Sequence, residues 1–120
     1  MLIPIGMFKE HCGERFPSIL NSEEMVLDAE EQEKVANYLA SCPVIVASPG
    51  VVRSVFDDSA IAGTPSIRTD GFWVWQDTYS YYVRMRKASV GKEFLLHMRE
   101  RSYIAPIDAE IDFSTVQFPW

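Results

Sequence analysis

The most informative part of this chain is Ser66-Ile67-Arg68-Thr69-Asp70-Gly71-Phe72-Trp73-Val74-Trp75. Asp-Gly between two alternating runs of β-forming residues is typical of a hairpin with a two-residue loop, because glycine adopts positive φ without cost. This loop would pair Thr69 with Phe72 and Arg68 with Trp73. Since side chains alternate along a strand, one face is expected to carry Ile67, Thr69, Phe72 and Val74, and the other Arg68, Trp73 and Trp75.

The composition predicts one globular domain. The chain has 120 residues, 48% of them hydrophobic and 12% aromatic, which is enough to bury a core without metal or disulfide support. The two cysteines, Cys12 and Cys42, fit neither a redox motif nor a zinc pattern, and we expect free thiols. Residues 1–120 are therefore interpreted as a single α+β domain that holds no metal and no cofactor.

Three helices are predicted. Asp28 can cap the first in a reciprocal arrangement with Glu31, and Pro43 ends it. Its buried stripe would carry Val35, Tyr38, Leu39 and Cys42. The second helix is expected to start at Asp77 and run to about residue 87, and the third to start at Ser89 and end near residue 102.

The remaining segments predict short strands, joined by connections that favour a mostly antiparallel sheet. Residues 1–8 could form an edge strand, since Pro4 lacks a backbone donor. Residues 44–47 and 51–56 read as strands, and residues 57–65 as a loop. In residues 107–113, apolar side chains alternate with Asp108, Glu110 and Asp112, which predicts a strand with one solvent-exposed, acidic face. The predicted class is α+β, with the Asp-Gly hairpin at the centre of the sheet.

The net charge of −6 and the pI near 4.8 argue against nucleic acid or an anionic membrane as the main partner. The charge is also unevenly distributed. Residues 21–33 contain six carboxylates and no Lys or Arg, whereas residues 84–101 contain six basic and two acidic residues. Residues 21–33 form either a solvated helix face or a surface that meets a basic partner.

The aromatic residues that follow the hairpin loop permit two interpretations. They could pack in the core, with each indole and phenol finding a local partner, or they could form a recognition surface. Arg68 could make a cross-strand cation–π pair with Trp73. A pocket built here would be lined by Arg68, Trp73, Trp75, Tyr79 and Tyr82.

No sequence motif in the chain indicates a particular enzymatic reaction, and no catalytic residue is assigned. Cys12 follows His11, but neighbours in sequence usually point apart. His97 lies four residues after Glu93, which is ordinary helix-surface spacing. The carboxylates Asp108, Glu110 and Asp112 could hold a cation, meet a basic partner, or guard a solvated strand edge.

One part of the sequence resembles a known group. The run Thr69-Asp70-Gly71-Phe72-Trp73-Val74-Trp75, then Tyr81-Tyr82-Val83 and Lys92-Glu93-Phe94-Leu95, is similar to a pattern in small, mostly uncharacterised bacterial proteins. Some of these resemble immunity proteins of polymorphic toxin systems. The match covers residues 66–99. Here Val90-Gly91-Lys92 replaces the usual proline-acidic helix start, and Gln76 stands where proline is common.

The resemblance and the charge together imply a non-enzymatic binding protein, in the manner of an immunity protein that occludes a basic toxin domain. The N-terminal residues show no signal-peptide pattern, so a cytoplasmic location is expected. The alternatives are a small enzyme or ligand-binding domain that uses the aromatic pocket, and a structural homodimer whose apolar tail, Val116, Phe118 and Trp120, fills a neighbour. The residues expected to contact a protein partner are Glu30, Glu31, Asp70, Trp73, Trp75 and Asp77.

Overall fold

Helices and a mostly antiparallel sheet give the α+β fold that the sequence predicts. The structure is a computed structural model that describes residues 1–119. No helix within these residues is long and apolar enough to cross a membrane. The helices are α1 (Lys9–Cys12), α2 (Ala29–Ser41), α3 (Tyr79–Arg86) and α4 (Lys92–Glu100), with 3₁₀ turns at Ile19–Asn21 and Asp108–Glu110. The strands are β1 (Ile3–Pro4), β2 (Val44–Val46), β3 (Val52–Arg53), β4 (Ile61–Gly63), β5 (Ile67–Thr69) and β6 (Trp73–Gln76).

The main sheet has the strand order β1-β6-β5-β2, with the hairpin β5–β6 at its centre. Strand β2 pairs antiparallel with β5, and β1 runs parallel to β6 at the other edge. Pro4 therefore lies on an edge strand, where its missing N–H disturbs no ladder. Strands β3 and β4 form a separate ribbon. Since β4 lies within residues 57–65, the prediction of a plain loop there is wrong.

The hairpin has a longer loop than the sequence predicts. Thr69 pairs with Val74 and Arg68 with Trp75, so residues 70–73 make the connection. Asp70 does not have the positive φ that a two-residue turn of this kind requires, and within the loop only Gly71 does (φ 96°). The observed register differs from the expected register by two residues. Since side chains alternate with a period of two, the same residues still share each face, although their cross-strand partners change.

The longer loop is held by side chains. The Thr69 hydroxyl donates to the Trp73 carbonyl (2.6 Å) and accepts the Gly71 N–H (2.9 Å). The Asp70 carboxylate accepts the N–H groups of Phe72 and Trp73. These bonds satisfy backbone groups that a tighter turn would have paired across the strands.

Helix α2 forms where the sequence places it. The Asp28 carboxylate accepts the Glu31 N–H at 2.7 Å, which satisfies one of the free donors of the first turn. The helix ends at Ser41, and Val35, Ala36, Tyr38 and Leu39 are buried along one stripe, with Cys42 buried just after it. The reciprocal half of the predicted cap is absent, because the Glu31 side chain binds Arg99 instead.

Two predicted helix caps are wrong. Helix α3 begins with Thr78 as its N-cap, not Asp77, whose carboxylate is engaged by Arg68 and Thr64. Helix α4 begins after Gly91 rather than after Ser89. The Ser89 N–H pairs with the Glu23 carbonyl, and this bond keeps Ser89 in the connection before the helix.

The core lies between the helices and the sheet face that carries Trp75. The Trp75 indole donates to the Leu39 carbonyl (3.1 Å) and its ring lies 5.5 Å from that of Phe94. On the opposite face, Val74 is fully buried. The Leu2 N–H donates to the Gln117 carbonyl, so the tail docks on the fold of its own chain; Trp120 lies outside the described residues.

Residues 107–113 do not form the predicted strand. They contain a 3₁₀ turn, in which the Glu110 N–H donates to the Ile107 carbonyl and the Glu110 carboxylate accepts the Ile107 N–H. The alternation of apolar and acidic residues is real, but these local side-chain bonds favour a turn over an extended chain.

Candidate functional site

Asp70, in the hairpin loop, is buried and not available to a partner. Its Oδ1 accepts the N–H groups of Phe72 (3.0 Å) and Trp73 (2.8 Å), and its Oδ2 accepts the Tyr38 hydroxyl at 2.7 Å. Burying a carboxylate is costly unless it is hydrogen-bonded, and here three donors meet it. The expectation that Asp70 contacts a partner is therefore wrong: its side chain ties the loop to helix α2.

His97 on helix α4 lies beside the same carboxylate. Its Nε2 is 3.4 Å from Asp70 Oδ2, is buried, and has no hydrogen-bond partner within residues 1–119. The imidazole packs against Phe72 and Trp73, with ring centroids 5.0 and 4.9 Å away. Nothing in the sequence indicates this approach, which joins helix α4 to the hairpin loop rather than to Glu93 on its own helix.

The two tryptophans of the hairpin differ in burial. Trp75 is fully buried and cannot meet a partner, which corrects its assignment as a contact residue. Trp73 is half-buried and stacks on Phe94, with 4.7 Å between the centroids and 15° between the planes. Stacked packing of this kind stabilises the core, so only the exposed part of Trp73 is available for recognition.

Arg68 and Asp77 form an ion pair that belongs to the fold. Arg68 Nε donates to Asp77 Oδ1 at 2.6 Å, and Nη1 donates to the Cys42 carbonyl at 2.6 Å. Burial alone would raise the pKa of Asp77, but the hydrogen bonds from Arg68 and Thr64 outweigh it and lower the pKa. The guanidinium is directed at oxygen atoms rather than at an indole, so the expected cation–π pair with Trp73 is not made.

Tyr79 and Tyr82 are buried cross-links. The Tyr79 hydroxyl donates to the Ser89 carbonyl at 2.5 Å. The Tyr82 hydroxyl accepts the Val55 N–H at 3.2 Å and is hydrogen-bonded to His11 Nε2 at 2.6 Å. Tyr79 borders one cavity of about 440 Å³ and Trp73 borders a different one of about 350 Å³. The aromatic residues therefore do not surround the single pocket that the sequence suggested.

The acidic residues of helix α2 are largely paired within the fold. Arg99 donates from two nitrogens to Glu31 (2.7 and 2.9 Å), and Arg84 does the same to Glu33 (3.0 Å each). Glu30 pairs with Lys34 one turn away at 3.1 Å. The basic residues within 84–101 thus supply part of the positive charge that residues 21–33 were expected to bind on a partner.

We name residues 107–113 the acidic segment. Its carboxylates have a different environment from those of helix α2. Asp108, Glu110 and Asp112 are all exposed. Their partners are local: Glu110 accepts the Ile107 N–H, and Asp112 accepts from Ser114. Within residues 1–119 none of the three has a Lys or Arg partner, and residues 102–119 contain no basic residue.

Exposed apolar side chains alternate with these carboxylates. Ile107 is 63% exposed and Phe113 38%. Ile111 lies close to the hairpin loop, since a Cβ placed on Gly71 would be 3.7 Å from it. Two residues of the acidic segment also border a groove of about 410 Å³, which we name the edge groove. It is lined by Val44, Ile45, Asp108, Phe113, Val116 and Phe118.

The acidic segment and the edge groove make the best candidate for a binding surface. Aromatic and aliphatic side chains give contact energy, and unpaired carboxylates around them select for positive charge. Of the expected contact residues, Glu30, Glu31 and Asp77 are engaged in ion pairs, and Asp70 and Trp75 are buried. Sequence reasoning identified the carboxylates of the acidic segment but placed them on a strand.

Comparisons of the chain with protein-family models, with curated proteins and with solved structures give no match.

Proposed function

We propose that this protein binds a basic protein partner without catalysing a reaction on it, and that it does so through the acidic segment and the edge groove. The observation that carries the proposal is the contrast between two sets of carboxylates. Glu31 and Glu33 are neutralised by Arg99 and Arg84, whereas Asp108, Glu110 and Asp112 are exposed and have no basic partner within residues 1–119.

The physical argument is electrostatic. Three carboxylates close together in sequence repel one another, and a cationic partner relieves that repulsion. The net charge of −6 adds a longer-range field that speeds encounter with a basic surface. Phe113 and Val44 line the edge groove and supply exposed apolar contact area. The resemblance of residues 66–99 to immunity-like proteins is consistent with a toxin domain as that partner.

A symmetric homodimer through this surface is disfavoured. A two-fold interface brings the same patch from each copy together, so the carboxylates of one acidic segment would approach those of the other. The charge therefore favours a different protein over a second copy.

The test compares the wild-type chain with a charge-neutral variant, Asp108→Asn/Glu110→Gln/Asp112→Asn, as baits in native lysate. We expect wild type to capture a protein of basic pI, the neutral variant to lose it, and salt of about 500 mM to weaken the capture. The matched control, Glu23→Gln/Glu24→Gln, removes exposed charge elsewhere and is expected to keep the partner.

Equal capture by wild type and the neutral variant, or capture that does not respond to salt, would overturn the proposal. The immunity function is tested separately on the purified pair. If the bound protein is toxic or enzymatically active, adding this chain should abolish its activity; an active complex would leave binding standing and refute immunity.

A further inference from the structure

The cavity between the N-terminal segment and helix α3 is separate from the surface proposed above. It has a volume of about 440 Å³, which is within the range of small-molecule sites. It shares no lining residue with the edge groove. Its walls are mostly apolar, and we name it the N-terminal cavity.

The floor of the N-terminal cavity is held by close packing. Gly6, with φ of 61°, lies directly on the Tyr79 ring, where a Cβ would come within 2.2 Å of ring carbons. Phe8 meets the same ring edge-on, with centroids 6.0 Å apart. Tyr79 is fixed in turn by its bond to the Ser89 carbonyl. These contacts make the apolar floor a preformed feature of the fold.

The rim carries one charge. Arg15 is the only charged residue among those that line the cavity, and polar atoms of Asn21 and Ser22 share the lining. The nearest carboxylates in sequence are engaged elsewhere. Glu10 accepts the Ser18 hydroxyl and the Ile19 N–H, and Glu14 lies 4.0 Å from the Lys9 ammonium.

Arg15 is therefore left without an ion pair within residues 1–119, although the protein as a whole is acidic. A second cavity of about 450 Å³ also contains Arg15, together with Met7 and Phe16, and it too has no carboxylate among its lining residues. Arg15 is exposed, its guanidinium carbon lies 6.0 Å from the centroid of the Phe16 ring, and no described residue that lines either cavity is a carboxylate.

We propose that the N-terminal cavity binds a small apolar monocarboxylate, whose carboxylate pairs with Arg15 and whose apolar body packs against Met7, Phe8 and Tyr79. A guanidinium matches a carboxylate with two parallel hydrogen bonds. One cation suits a monoanion better than a phosphate dianion. The proposal does not depend on the protein-binding function, because the two surfaces share no residue.

The experiment uses octanoate, below its micelle concentration, as the probe and octanamide as its neutral match. Both are titrated into the full chain by calorimetry and followed by amide chemical shifts. We expect saturable octanoate binding, about tenfold weaker binding of octanamide, and a similar loss in Arg15→Gln. The matched control is Arg53→Gln, an exposed arginine outside the cavity, which should bind octanoate as wild type does.

Amide shifts should move at residues 5–8 and 15–22. Equal affinity for octanoate and octanamide, unchanged binding by Arg15→Gln, or no saturable binding of either compound would overturn the proposal. Since the protein-binding test uses different variants and a different probe, failure of one leaves the other intact.

Discussion

Glu31 on helix α2 and Arg99 on helix α4 form a two-point ion pair although 68 residues separate them in the chain. The Tyr103 hydroxyl donates to the same carboxylate. The acidic residues within 21–33 and the basic residues within 84–101 thus neutralise each other in part. The exposed carboxylates without a basic partner are the ones on which the proposed function rests.

This ion pair predicts a specific pH dependence of stability. Hydrogen bonds from Arg99 and Tyr103 lower the pKa of Glu31 from its usual 4.5 to about 2. A carboxyl group with a lowered folded-state pKa adds stability above the unfolded-state pKa and loses it as the pH falls through the folded-state pKa. The contribution should therefore be complete at pH 7 and disappear between about pH 4.5 and pH 2.

We expect Glu31→Gln to lower the free energy of unfolding at pH 7 by about 1 kcal/mol or less, because Arg99 is half-exposed and solvent screens the pair. Urea titrations at pH 7, 5 and 3 should show the difference from wild type shrinking as the pH falls. Glu30→Gln, which removes an exposed pair within one helix, is the control and should cost less than about 0.5 kcal/mol. A difference that grows towards pH 3 would contradict the assignment.

Asp70 should be a stability residue rather than a binding residue. Asp70→Ala leaves the Tyr38 hydroxyl and the N–H groups of Phe72 and Trp73 without their acceptor. We expect the free energy of unfolding to fall by about 3 kcal/mol, measured by urea denaturation. Tyr38→Phe removes only the hydroxyl donor and should cost about 1–2 kcal/mol. An Asp70→Ala variant as stable as wild type would refute this role.

The contact between Gly6 and Tyr79 makes Gly6 intolerant of any side chain. In Gly6→Ala the new Cβ would clash with the Tyr79 ring at a backbone φ that already disfavours alanine. We expect a loss of about 3 kcal/mol or more, read as a lower thermal midpoint or as failure to fold. Gly13→Ala isolates the backbone effect, since its φ is also positive but no atom lies within 4 Å of the added Cβ; it should cost about 1 kcal/mol. Similar midpoints for the two variants would show that the clash is relieved by movement.

The two cysteines should differ in reactivity. Burial raises the pKa of Cys42 to about 12, and Cys42 is fully buried. Burial also raises the pKa of Cys12, but this thiol is partly exposed. With a thiol reagent at pH 8, we expect Cys12 to react slowly in the folded protein and Cys42 to react only at the rate of unfolding. Cys12→Ser identifies each phase; rapid labelling of Cys42 in that variant would contradict the burial.

Local features of the sequence predict helix α2 and the two faces of the hairpin. Asp28 as a cap, the buried spacing of Val35 and Leu39, and Pro43 as a stop predict helix α2 because each acts within one or two turns of its own position. The alternation around Asp70-Gly71 predicts which side chains share a face, and this survives a register change of two residues.

Features that depend on distant partners could not be read from the chain. The sequence places Asp77 and Ser89 as caps, but Arg68 and Glu23 engage them from other elements. It shows carboxylates near Glu31 and cations near Arg99 without indicating that they meet. The same limit applies to the site: the N-terminal cavity is lined by Gly6, Arg15 and Tyr79, which lie far apart in the sequence.

The α+β class, the principal helices and the two faces of the hairpin follow from the amino-acid sequence, since turn preference and side-chain periodicity are local properties of the backbone. The loop register, the burial of Asp70 and the set of carboxylates that stay unpaired follow from the tertiary structure. Those outcomes depend on competition among donors and acceptors far apart in the chain, and only packing brings the competitors within hydrogen-bond distance.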